Sequence, residues 1–343
     1  MIIIAATVII IDPFFHYHSP ILGLKRVQTL KEYQVNGILA NTEYNAILAG
    51  SSVTVNINTD IFNDNYNCIT VKAAAGSART STLWYYIEKA YDYQDLDYVF
   101  YGLDIFALYT TIDRDSTQDQ ILYLRDNNPI NDVYYLWNID VLFKHIPYMI
   151  AESYFHEYDE GVAYNFSTYS AYGTDYALNS YKPQGEILPM KDISDYCELV
   201  YANVGLLEET IGNHPETEFK FFFPVYSCLW WDRSYRSGEM EQYFWAMEYV
   251  YDILGAYDNV EFYKGTFNDW DSVMNLNNYS DLTHASYDIN QLQAYSITTG
   301  EGLIEDKERL LEEINILRTM IYDFEDRLAQ EGNWEFLYNE YAQ

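Results

Sequence analysis

Two short blocks of this chain carry residues that could do chemistry together. Gly50-Ser51-Ser52 closes an apolar run, residues 44–50 (YNAILAG), and precedes a polar, Asn-rich stretch that reads as a turn with a short helix. A serine so placed stands at the carboxyl edge of a sheet with helix amides around it, where a nucleophile belongs. Asp281-Leu282-Thr283-His284 follows the last strand-like segment. A carboxylate three residues before an imidazole can hold the ring's tautomer and orientation while the other ring nitrogen takes a serine proton. Either block alone is a weak signal, since a serine after a glycine is most often just a turn. In this order, on an alternating strand and helix pattern, the pair is far more specific than either block alone.

Other chemistry-bearing residues lack the partners that their chemistry needs. His16 and His18 flank a tyrosine on an apolar segment without further ligands at metal-binding spacing. The run His156-Glu157-Tyr158-Asp159-Glu160 has no second histidine for a zinc-protease helix and reads as a solvated face. Asp113, Asp115 and Asp119 hint at calcium, but neither the glycine turn nor the bidentate glutamate of an EF-hand follows. Neither a phosphate-cradling glycine loop nor a G-x-S-x-G elbow occurs. The expectation is a site with no cofactor and no metal.

The elements that must position Ser52 and His284 read as strands alternating with helices. Residues 68–74 are a second strand candidate, 77–93 a helix with Leu83, Tyr86, Ile87 and Ala90 on its apolar face, and 98–103 a third strand. Residues 219–225 (FKFFFPV) look like a fully buried strand, 238–254 a helix and 260–263 a short last strand. Such a pattern implies an α/β fold with a mostly parallel sheet covered by helices on both faces and a ligand site at the carboxyl ends of the strands. Residues 105–193 break the alternation. Long, Tyr-rich and irregular, with helical patches near 132–152, they are expected to overhang the site as a lid-like insertion. Near the C-terminus, Leu310, Ile314, Leu317, Ile321, Phe324 and Leu328 make a heptad stripe, read as an amphipathic helix that packs on the domain, with self-association as the sharper alternative.

Charge and composition bound the partners. Nineteen Lys plus Arg against 52 Asp plus Glu give a net charge of −33, which repels phosphate backbones and argues against nucleic acid as a partner. The same field disfavours polyanionic substrates unless the cleft has its own positive charge. The three cysteines, Cys68, Cys197 and Cys228, are widely spaced and read as buried free thiols. Tyrosine, at 37 of 343 residues, is the compositional outlier; amphipathic rings suit a carbohydrate-facing cleft, although half-exposed core positions account for most of them. Residues 1–11 are almost wholly apolar but shorter than the ~20 residues of a spanning helix. They read either as the trimmed end of a membrane anchor or as a buried first strand.

The blocks at the strand ends resemble those of the SGNH (GDSL-like) hydrolases. That family carries its nucleophile in a G-D-S block after the first strand, a glycine after the second, an asparagine in a G-x-N-D block after the third, and a D-x-x-H block near the end. Here Gly50-Ser51-Ser52, Gly76 in AAAGSA, Gly102-Leu103-Asp104 and Asp281 to His284 occur in that order. The resemblance spans roughly residues 12–302 and is closest to the membrane-anchored SGNH-like proteins of Gram-positive bacteria, a group similar to the D-alanyl transfer protein of teichoic acid synthesis and to polysaccharide O-acetyl transferases or esterases. It implies a three-layer flavodoxin-like fold, with Ser52 as nucleophile, His284 as general base, Asp281 as its orienting partner, and the amides of Ser52 and Gly76 as oxyanion donors. Two positions depart from the pattern. Ser51 replaces the Asp of G-D-S, and Asp104 replaces the oxyanion-hole asparagine, where an ionised carboxylate would repel the oxyanion; Asn56 or Arg79 are alternative donors.

The expected organisation is an N-terminal apolar segment and lead-in over 1–43, the α/β domain over 44–302 with its insertion at 105–193, and a C-terminal helical segment over 303–343. Two functions are compatible with it. One is a bacterial, extracytoplasmic, membrane-anchored or surface-bound serine esterase or acyltransferase that acts on O-acyl groups, preferably O-acetyl, of a cell-surface glycan or teichoic acid-like polymer. The other is a non-catalytic glycan-binding or accessory module that partners a membrane O-acyltransferase.

Overall fold

The computed structural model describes residues 2–113, 121–126, 128–181, 186–265 and 270–332. Asp115 and Asp119 lie outside them, as does the end of the C-terminal segment. Five short strands build the centre: β1 (Ala46–Gly50), β2 (Thr70–Ala74), β3 (Tyr98–Gly102), β4 (Glu218–Phe223) and β5 (Val260–Lys264). Every adjacent pair is parallel, in the order β2-β1-β3-β4-β5. That is the flavodoxin-like order, in which the chain first winds one way from β1 to β2 and then reverses to β3.

Burial on both sides explains the composition of the strands. All five residues of β1 and of β2 are buried. Alternate side chains enter opposite layers. Ile47, Ala49, Val99, Tyr101, Phe219, Phe221 and Phe262 join the larger core, while Ala46, Leu48, Phe100, Phe222 and Tyr263 join the smaller one. In chain order the helices are α1 (Ile2–Ile11), α2 (Lys31–Asn41), α3 (Asp60–Tyr66), α4 (Thr80–Tyr91), α5 (Val133–Leu136), α6 (Ile146–Tyr154), α7 (Thr174–Ser180), α8 (Cys197–Asn213), α9 (Cys228–Arg236), α10 (Met240–Leu254), α11 (Trp270–Met274), α12 (Tyr287–Thr298) and α13 (Lys307–Glu331). Residues of α2, α4, α8, α9, α10 and α13 line the larger core; Phe62 of α3 and Ala294 and Ile297 of α12 close the smaller one.

Two expectations outside the sheet meet different outcomes. The heptad stripe of α13 lies on the domain: Leu310, Ile314, Leu317 and Ile321 are buried in the main core, and the buried pair Lys264–Glu313, at 2.7 Å, ties the helix to β5. Residues 2–11 instead form a helix rather than a buried strand. Only Val8 of α1 is buried, and Ile2, Ile3, Ile9 and Ile10 are exposed. Its inner side rests on a satellite cluster with Phe14, Tyr135, Val141 and Ile146, which draws much of the 105–193 segment towards the N-terminus. Among the described residues no helix is long and apolar enough to cross a membrane.

Candidate active site

The reversal between β1 and β3 opens a crevice at the carboxyl ends of the strands, and Ser52 follows β1 directly into it. Small residues at both strand ends make room for the turn. A β-carbon at Gly50 or at Gly102 would overlap the Thr54 side chain, so Thr54 can pack beneath the nucleophile only because both positions are glycine. The turn then closes on itself, with the Thr54 and Val55 amides donating to the Ser51 carbonyl at 3.1 and 3.3 Å.

Asp281 and His284 come from the loop between α11 and α12, which follows β5 in the chain. Their short spacing lets one carboxylate organise the loop as well as the ring. Asp281 Oδ1 accepts the amides of Thr283 at 2.8 Å and His284 at 2.9 Å, while Oδ2 meets His284 Nδ1 at 2.6 Å. His284 Nε2 lies 2.9 Å from Ser52 Oγ. The three side chains form one continuous relay in which Nδ1–H donates to the carboxylate and Nε2 accepts from the serine hydroxyl. Partial burial pushes the Asp281 carboxyl up, but the hydrogen bond from His284 and the two loop amides outweigh it and hold it at about 2. It stays ionised at every pH where an esterase works. Phe166 packs edge-on to the His284 ring at 5.2 Å and limits its rotation.

The expected oxyanion donors are not brought together. The Ser52 amide makes no hydrogen bond with any described residue and is open to a ligand. The Gly76 amide is taken: it donates to Glu32 Oε1 of α2 at 3.1 Å, and Gly76 does not line the cavity. Its neighbour Ser77 does, from a left-handed backbone conformation with φ of 48°. Strained positions of this kind cluster at functional sites. Asp104 is buried beside the nucleophile turn and does not line the cavity either. Its Oδ1 accepts from the Tyr226 hydroxyl. Burial dominates and lifts its carboxyl to about 6, against the pull of the Ser51 and Tyr226 hydroxyls and the nearby His284. Of the alternative donors, the Arg79 guanidinium donates to the Thr111 hydroxyl at 3.1 Å. Asn56 Oδ1 accepts the Phe166 amide at 3.0 Å, while its Nδ2 is buried with no partner among the described residues, and Asn56 does not line the cavity.

A cavity of about 470 Å³ opens onto Ser52 and His284. Of the 105–193 insertion, Phe106 lines it and Phe166 touches His284, but the outer wall comes from α9 and α10, through Trp230, Arg233, Ser234 and Tyr243. The wall residues had a local signal that sequence reading passed over. Ser227 precedes an amphipathic stretch as a helix cap, accepting the Trp230 amide, and its hydroxyl donates to the Leu282 carbonyl at 2.6 Å, which fastens α9 to the catalytic loop. His16 and His18 lie far from this relay in the chain and are held in the N-terminal cluster, the first against Asp132 at 3.3 Å and the second against the Ile9 carbonyl at 2.7 Å.

No family model and no curated protein matches this chain. Among solved structures, a Streptococcus pneumonia protein provisionally named a platelet activating factor overlaps 79% of this chain and 91% of its own, with a TM-score of 0.42 and 11% identity. A provisionally named acylhydrolase of Bacteroides fragilis overlaps 79% and 95%, with a TM-score of 0.38 and 12% identity. Similarity this distant transfers no activity, so a functional reading must stand on the geometry of the site itself.

Proposed function

We propose that the protein is an SGNH-type serine esterase or acyltransferase acting on O-acyl groups, preferably O-acetyl, of a cell-surface polysaccharide through an acyl-enzyme. One observation carries the reading: the unbroken contact from Ser52 Oγ to His284 Nε2 at 2.9 Å and from His284 Nδ1 to Asp281 at 2.6 Å, facing a cavity large enough for a sugar. Ser52 attacks the ester carbonyl as His284 takes its proton; the imidazolium, steadied by ionised Asp281, returns that proton to the leaving sugar oxygen. Water or a second sugar hydroxyl then resolves the acyl-enzyme by the same steps in reverse. The Ser52 amide is the open donor for the oxyanion. The exposed isoleucines on the outer face of α1, Ile2, Ile3, Ile9 and Ile10, support a membrane-proximal location.

A second reading, an accessory module that holds a glycan for a membrane O-acyltransferase, draws on a specific observation. With the Gly76 amide bound to Glu32 and Asp104 turned to Tyr226, the site offers few oxyanion donors. Reaction with a fluorophosphonate probe separates the two. The esterase reading expects stoichiometric labelling at Ser52 that is lost in His284→Ala; an unlabelled wild-type protein rejects it in favour of the accessory module.

A further inference from the structure

The cavity holds one charge, the Arg233 guanidinium, that none of the described residues pairs with. Helix α9 presents Trp230, Arg233 and Ser234 to it, the i, i+3, i+4 face. The rest of the helix is pinned from behind: Arg236 pairs with fully buried Asp232 at 2.8 Å and with Glu325 of α13 at 2.7 Å. Together with the Ser227 link to the catalytic loop, this places Arg233 on a rigid element in fixed relation to Ser52 and His284.

The Arg233 guanidinium is exposed and makes no ion pair or hydrogen bond with any described residue, whereas Arg26, Arg236, Arg309 and Arg318 each pair with a carboxylate and Arg79 and Arg125 each donate to a hydroxyl. In a chain with 52 acidic residues against 19 basic ones, a guanidinium with neither a carboxylate nor a hydroxyl partner among the described residues is conspicuous. Glu239, which lines the same cavity, does not serve as that partner. It is already bound by Lys191 at 2.5 Å, by Ser237 at 3.0 Å and by Tyr243 at 3.1 Å. At physiological salt the Debye length is about 8 Å, so the remote carboxylates are screened and the charges inside the cavity decide what enters.

We propose that Arg233 is the anion subsite of this cavity, and that the substrate is an acyl ester of an acidic sugar. Its carboxylate or phosphate pairs with the guanidinium, the sugar ring fills the cavity between Arg233 and the relay, and the acyl carbonyl faces Ser52. The assignment rests on the ester-cleavage reading only for the placement of the acyl group. The charge subsite is tested by binding, with no turnover.

Ser52→Ala protein is titrated calorimetrically at about 0.15 M salt with three probes: an O-acetylated methyl glucuronide, an O-acetylated glucose 6-phosphate and the neutral O-acetylated methyl glucoside. At least one charged probe should bind about tenfold or more tightly than the neutral one. The preference should vanish when Arg233→Gln is added and largely return with Arg233→Lys, because charge rather than shape is at stake. The stronger charged probe identifies the anion. Equal affinity for all three, no binding of either charged probe, or a preference that survives Arg233→Gln overturns the proposal. A failure of the esterase reading shows separately, as absent fluorophosphonate labelling of the wild-type protein, and leaves a measured charge preference standing.

Discussion

Two clusters of aspartate and histidine occur in this molecule, and they are built to opposite ends. Around Asp281 and His284 the carboxylate serves one ring nitrogen and two amides, and the second ring nitrogen faces a hydroxyl at the wall of a cavity. Around Asp12 the carboxylate is spent entirely on the local fold. Buried Asp12 accepts the amides of His16 at 3.0 Å, Tyr17 at 2.7 Å and His18 at 3.1 Å, and the Tyr135 hydroxyl at 2.8 Å. His16 and Tyr17 are tied in turn to Asp132. The electrostatics follow the geometry. Burial outweighs four donors at Asp12 and pushes its carboxyl up, whereas the donors win at half-buried Asp281 and push it down. The same residue types become structure where the carboxylate holds the local backbone, and become a candidate for catalysis where one ring nitrogen is left facing a cavity.

The largest expected effect breaks that comparison if it fails. Ser52→Ala or His284→Ala should each lower hydrolysis of p-nitrophenyl acetate by a factor on the order of 10⁴ or more, with the double variant hardly worse than either, because the relay acts as a unit. His16→Ala should leave kcat/KM within threefold. Comparable losses for His16 and His284 would show that the N-terminal cluster belongs to the chemistry after all.

Stability should show the reverse order. Asp12→Ala orphans three amides and the Tyr135 hydroxyl, and is expected to cost about 3 kcal/mol by urea denaturation. Asp281→Ala, at a half-exposed loop, should cost about 1 kcal/mol. Equal losses would mean that Asp281 is mainly a structural clamp of its loop.

Asp104 gives a smaller, pH-dependent effect that sharpens the contrast. Its buried carboxyl titrates at about 6 against an ordinary 3.8, so the folded state holds the proton more tightly than the unfolded chain. The corresponding stability is present below pH 3.8 and is lost as pH rises to 6. Asp104→Asn keeps an acceptor for Tyr226 and removes the buried charge. It should match the wild type at pH 4 and exceed it by roughly 3 kcal/mol at pH 8. Equal stability at both pH values would show that the carboxyl is not buried in an apolar setting.

Legibility in the sequence followed the range of the interaction. The five strands, their parallel arrangement and the α13 stripe were readable because alternation and heptad spacing are properties of neighbouring residues. The Asp281 and His284 pair was readable for the same reason, since three residues of separation fix the contact within one loop. Ser52 could be placed with them, 232 residues away, only because a parallel sheet gathers all its strand ends at one edge. The segment at 2–11 was legible only as either the end of a membrane anchor or a buried strand, because an apolar run carries no period to tell a helix from a strand.

The sequence by itself thus determined the sheet, the edge where the site lies and the residues of the relay. Tertiary structure alone decided what surrounds them. Glu32 reaches the Gly76 amide across 44 residues, and Tyr226 reaches Asp104 across 122. Arg233 owes its open position to how α9 is held between α13 and the catalytic loop. No local pattern encodes such meetings, because they depend on how whole layers pack, and it is packing that decides which donors, acceptors and charges of a site are already spent and which are left for a substrate.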